Sequence, residues 1–87
     1  MFDLSGRRAL VTGASGGIGS AIARALHSRG AAVVLAGRRA AALEQLAAEL
    51  GARVAIEIGD VTEPAFAERA VAACEKAGGL DILINNA

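Results

Sequence analysis

The 87 residues allow a single domain, and a domain of that length buries only about 60 to 65% of the surface its unfolded chain exposes, so its stability margin is thin. Hydrophobic residues make up 54% of the chain but aromatic ones only 2%, which leaves Ala, Val, Ile and Leu to build the core. Nine basic and nine acidic side chains cancel, and no run of like charge exceeds the pairs Arg7-Arg8 and Arg38-Arg39, which argues against a nucleic-acid or polyanion surface.

The opening Met1-Phe2-Asp3-Leu4 has no charged stretch leading into an apolar one, and no apolar run approaches the roughly 20 residues of a membrane span. A cytoplasmic protein without a membrane partner is therefore expected. Cys74 is the single cysteine and has no partner for an internal disulfide.

Short apolar runs alternate with longer segments of helical periodicity, the pattern of βαβ units around a parallel sheet. Arg8 to Thr12 reads as the first strand, and Ile18, Ile22, Ala25 and Leu26 then recur at helical spacing until Gly30 supplies a stop. Ala32 to Ala36 forms the second strand. Leu43, Leu46, Ala47 and Leu50 mark the second helix, which Gly51 ends, and Arg53 to Ile58 is the third strand. Thr62 stands where the third helix needs an N-cap, with Pro64 in the first turn and Phe66, Ala70, Ala73, Cys74 and Ala77 as its buried stripe before Gly78-Gly79. Asp81 to Asn85 is the fourth strand. Three of the four strands are apolar on both faces, as strands between helix layers must be.

Parallel crossovers are right-handed almost without exception, so the pattern predicts an α/β, doubly wound, Rossmann-type sheet in the order 3-2-1-4. The fourth strand lies at an edge of that order, although Ile82, Leu83 and Ile84 have the composition of a central strand. The chain is accordingly expected to stop in the middle of a sheet and to associate with itself through that edge.

Thr12-Gly13-Ala14-Ser15-Gly16-Gly17-Ile18-Gly19 follows the first strand directly, carries glycines at the spacing G-x-x-x-G-x-G and leads into a helix. Unpaired amides at a helix start, together with the positive end of the helix dipole, form an anion site, and glycines let a pyrophosphate approach the backbone. The bland alternative is a tight strand-to-helix turn. Against it, four glycines in seven residues weaken a merely structural turn, because each interior helical glycine costs on the order of 1 kcal/mol relative to Ala.

This loop is similar to the T-G-x-x-x-G-x-G loop of the short-chain dehydrogenases/reductases, and not to the standard G-x-G-x-x-G. Asn85-Asn86-Ala87 resembles the start of the family's N-N-A-G motif, and Asp60-Val61 its acidic-hydrophobic pair at the adenine pocket. Together these motifs span essentially the whole chain, whose residues 1–87 the resemblance identifies as the N-terminal, dinucleotide-binding half of such a domain. Within the family, Phe2 to Gly6 followed by Arg8 to Gly19 looks most like the bacterial 3-oxoacyl-acyl-carrier-protein reductases of fatty acid biosynthesis. The resemblance implies that Gly13, Ser15, Gly16, Gly17, Ile18 and Gly19 surround the pyrophosphate and adjoining ribose. It places Asp60 and Val61 beside the adenine and Asn86 near the adenosine ribose, and gives Asn85 the task of tying neighbouring strands together. Gly16 departs from the arginine that many NADP-dependent members carry there, so cofactor preference must rest on the second strand.

An enzyme preferring NAD places an acidic residue at the end of that strand, where it accepts hydrogen bonds from the ribose 2′-hydroxyl. Here the stretch is Leu35-Ala36-Gly37-Arg38-Arg39, and no acidic residue occurs between Asp3 and Glu44. Arg38 offers a planar guanidinium for a 2′-phosphate, with Arg39 adding field, so NADP(H) is expected ahead of NAD(H).

The family reduces carbonyls through a tyrosine general acid, and this chain contains no tyrosine. No catalytic residue is assigned, and the 87 residues alone are expected to be inactive. His27 has no cysteine or carboxylate at metal spacing, Cys74 belongs to an apolar stripe and Lys76 to a solvated helix end, so no metal site is expected. Three readings stay open: the opening of a full-length NADP-dependent reductase, a stand-alone nucleotide-binding module, or a purely structural fragment.

Overall fold

The computed structural model describes residues 3–85. Its elements in chain order are β1 (Arg8–Thr12), α1 (Gly17–Ser28), β2 (Ala32–Gly37), α2 (Ala40–Leu50), β3 (Val54–Ile58), α3 (Pro64–Lys76) and β4 (Ile82–Ile84). The four strands form one sheet in the order β3-β2-β1-β4, and every pair is parallel. The predicted α/β doubly wound order is therefore the observed one.

The two-residue period of a strand divides the core. Ala9, Val11, Val33 and Leu35 face the layer of α1 and α2, where they pack with Ala23, Leu43 and Leu46. Leu10, Val34 and Ala36 face the other way and pack with Phe66, Ala70 and Cys74 of α3. Leu35 and Leu43 are both fully buried, and each such side chain contributes about 1.5 to 3 kcal/mol. Among the described residues no helix is long and apolar enough to cross a membrane.

Several sequence expectations need correction. The buried stripe of α1 is Gly19 and Ala23, flanked by half-buried Ile22 and Leu26, whereas Ala25 is exposed and Ile18 is 71% exposed. Glu63, not Thr62, occupies the N-cap of α3, because the Thr62 hydroxyl is engaged by the Asp60 carboxylate at 2.6 Å. Ala77 lies past the last turn of α3 and is exposed. The third strand begins at Val54, since Arg53 takes a left-handed backbone (φ 59°) that breaks the extended run.

The fourth strand is shorter than Asp81 to Asn85. The ladder holds only Ile82 to Ile84. Just before it, the Asp81 amide donates to the Arg8 carbonyl at 3.0 Å while the Asp81 carboxylate accepts from the Arg8 amide at 3.0 Å, a side-chain oxygen standing where a neighbouring strand's carbonyl would. At this edge Leu83 is 57% exposed despite its central-strand composition.

Candidate functional site

Gly13 leaves β1 with φ 64°, a left-handed turn that glycine adopts without a Cβ clash. The loop then folds onto the sheet, because the Ala14 amide donates to the Ala36 carbonyl at 3.1 Å and the Ala14 side chain is buried. The Gly16 amide closes a turn onto the Gly13 carbonyl at 3.1 Å, and Gly16 itself is the N-cap of α1 without a side-chain cap. Among the described residues no acceptor meets the amides of Ser15, Gly17, Ile18 or Gly19. That concentration of unused donors sits at the positive end of a 12-residue helix, with no acidic residue in its first turn to compete.

Beside the loop, a cavity of about 540 Å³ is lined by Gly13 and Ser15, by Gly37, Arg38 and Arg39 at the end of β2, and by Asp60, Val61 and Thr62 after β3. All three segments follow the C-terminal ends of parallel strands, where open α/β sheets form their crevices. The Gly59 amide donates to the Gly37 carbonyl at 2.8 Å and fixes two of these segments against each other. Asp60 accepts from Thr62 twice through Oδ1, from the hydroxyl at 2.6 Å and from the amide at 2.9 Å. These two hydrogen bonds, the hydroxyl's first, hold the Asp60 carboxyl below its ordinary pKa, and Arg38 adds a smaller pull. Arg38 Nη1 lies 4.0 Å from Asp60 Oδ2.

Of the residues expected at the site, Gly13, Ser15, Arg38, Asp60 and Val61 line one cavity. Gly16, Gly17, Ile18 and Gly19 form the adjoining loop and first turn of α1. Asn86 lies outside the described residues. Asn85 meets the Thr12 hydroxyl at 3.3 Å, and the same hydroxyl donates to the Ile84 carbonyl at 3.2 Å, which joins the ends of β1 and β4. Gly37 and Thr62 are cavity residues that sequence reasoning did not single out as such. The adjacency of Gly37 to Arg38, and of Thr62 to the Asp60-Val61 pair, was the available signal.

Other polar candidates lie elsewhere. His27 Nε2 is 2.7 Å from the Ala52 carbonyl, a contact that requires the proton on that nitrogen. Cys74 is fully buried, and this desolvation pushes its thiol pKa up.

A nucleotide-binding fold of the doubly wound class is what this loop, helix start and crevice define. The chain belongs to the short chain dehydrogenase family, whose model matches residues 7–87. Among curated proteins it is 54% identical to nodulation protein G of Rhizobium sp. (strain N33), a match that covers all of this chain and 36% of that protein. Among solved structures it is similar to the 3-ketoacyl-(acyl-carrier-protein) reductase of Brucella melitensis complexed with NADH. That likeness has a TM-score of 0.90 and 40% identity over 98% of this chain and 35% of the other. The L-sorbose reductase of Gluconobacter frateurii, complexed with NADPH and L-sorbose, gives a TM-score of 0.85 and 37% identity over 99% and 35%. The chain thus spans about a third of the length of the proteins it matches.

Proposed function

We propose that residues 1–87 are the NADP(H)-binding portion of a carbonyl reductase or alcohol dehydrogenase of the short-chain type. The observation that carries this reading is the convergence of the glycine loop, Arg38 and the Asp60-Val61 pair on one crevice. The residues fit a dinucleotide on physical grounds. Unpaired amides at the start of α1 suit a pyrophosphate, Val61 offers an apolar wall for a base, and Arg38 a cation for a 2′-phosphate. Asn86, beyond the described residues, is assigned to the adenosine ribose by resemblance alone. When bound, such a cofactor supplies hydride, while this chain's residues bind and orient it.

A nicotinamide dinucleotide is further supported by the NADH and NADPH complexes of the two similar structures. The absence of an acidic residue between Asp3 and Glu44 favours the phosphorylated form. For the longer protein, reduction of a 3-oxoacyl thioester in the cytoplasm is the substrate reading that the family likeness favours, and the Brucella reductase supports it. With no tyrosine among the 87 residues, this chain alone binds cofactor and turns nothing over.

Calorimetric titration with NADPH and NADH in parallel tests the proposal. Saturable binding with NADPH ahead is expected, and Arg38→Asp removes or reverses the preference by tenfold or more, about 1.4 kcal/mol per decade. Equal affinities in the unmutated protein refute the NADP(H) assignment, and hydride transfer by the 87 residues alone refutes inactivity.

A further inference from the structure

The two walls of the crevice carry charges of opposite sign that face each other. We infer that Asp60 is a second determinant of cofactor choice, acting through Arg38. Its carboxylate shares the guanidinium that a 2′-phosphate needs, and so narrows the preference for NADPH over NADH. This rests on the dinucleotide reading above and deepens it.

The orientation of Asp60 is set by its neighbour. Thr62 occupies Oδ1 with both its amide and its hydroxyl, so Oδ2 is the oxygen left to face Arg38 Nη1 at 4.0 Å. Asp60 is the one acidic residue among those lining the cavity, and among the described residues Arg38 makes its one ion pair there. At that separation no hydrogen bond locks the pair, and with the Arg38 side chain 76% exposed the attraction is Coulombic and partly screened.

A 2′-phosphate drawn to Arg38 therefore competes with the Asp60 carboxylate for one cation. A neutral 2′-hydroxyl at the same place meets no such competition. The role that family resemblance gives Asp60, beside the adenine, needs only an acceptor oxygen, and an amide supplies one without the charge. Charge and acceptor are thus separable at this position, and the charge acts on the choice between cofactors.

Asp60→Asn separates them, because the amide oxygen can still accept from Thr62. In parallel titrations with NADPH and NADH, Asp60→Asn is expected to raise the ratio of NADPH to NADH affinity about two- to fivefold. Asp60→Ser, which also removes the charge, should move the ratio in the same direction. In an Arg38→Ala background neither substitution should move it. A ratio that stays constant or falls in both variants, while the unmutated protein binds NADPH, overturns this inference and leaves the dinucleotide reading standing. A rise that persists without Arg38 overturns the route through the guanidinium. Failure of the unmutated protein to bind either cofactor removes the dinucleotide reading, and this inference with it.

Discussion

Gly59 joins the end of β3 to Asp60, and a methyl group there tests how tightly the crevice is braced from below. An added Cβ would stand 2.4 Å from Cδ1 and 2.7 Å from Cε1 of Phe66, where ordinary contact begins at 3.4 Å. The ring must retreat by about 1 Å, a displacement that a closely packed interior resists. It has nowhere to go: Phe66 is 4% exposed and packed among Leu10, Val34, Ala36, Ala70 and Cys74. The Gly59 backbone is not left-handed, so an alanine there suffers no conformational strain and the penalty is steric. Overpacking of this kind costs about 1 to 3 kcal/mol, partly offset by the about 0.4 to 1 kcal/mol that alanine gains through the unfolded chain. Gly59→Ala is therefore expected to lower stability by about 1 to 2 kcal/mol, read by urea denaturation followed through far-ultraviolet circular dichroism. It should also weaken dinucleotide binding, because the Gly59 amide fastens this strand end to Gly37. Phe66→Leu opens room beside the new methyl, and in that background the cost of Gly59→Ala should shrink. A change within about 0.5 kcal/mol, or an identical penalty in both backgrounds, would refute the steric account.

Cys74 should react with a thiol reagent only as the chain unfolds, and its rate of labelling should track denaturation. Because burial raises its folded pKa above the ordinary 9.0, the stability it contributes is complete below that value and declines as pH rises through the folded one. Denaturation midpoints from neutral to alkaline pH, compared with Cys74→Ala, should diverge above about pH 9, and parallel curves would contradict this. The β4 edge, with Leu83 more than half exposed, should drive self-association in the micromolar range. Light scattering should show Leu83→Lys to be monomeric, and a monomeric unmutated chain would refute self-association through this edge.

The two central strands were legible because their apolar residues run without interruption and both faces are covered. The glycine loop was legible because the chemistry of an anion site restricts residue type as well as spacing. Helix phase at α1 was not. Ile18 and Ile22 suggest a stripe by hydrophobicity, but the loop brings α1 onto the sheet at Gly19 and Ala23, where small residues permit close approach and Ile18 is turned outward. Thr62 and Glu63 both precede Pro64, and periodicity cannot say which caps α3. The decision falls to Asp60, whose carboxylate engages the Thr62 hydroxyl. Nor does sequence disclose that Arg38 and Asp60, 22 positions apart, face each other, since that follows from parallel registration of β2 and β3.

Strand order also sets an order of assembly. Ala9 pairs with Val33, 24 residues on, and with Ile82, 73 residues on. Closing the longer loop costs about 1 kcal/mol more chain entropy than closing the shorter one. The β1-α1-β2 unit, which carries the glycine loop and brings Ala14 against Ala36, can thus zip together while β4 is still undocked. During synthesis from the N-terminus, the loop would take shape before Ile82 to Ile84 leaves the ribosome. Amide exchange should rank the same way, slow in β1 and β2 and fastest in β4, so the seam closed by Thr12 is the first to open.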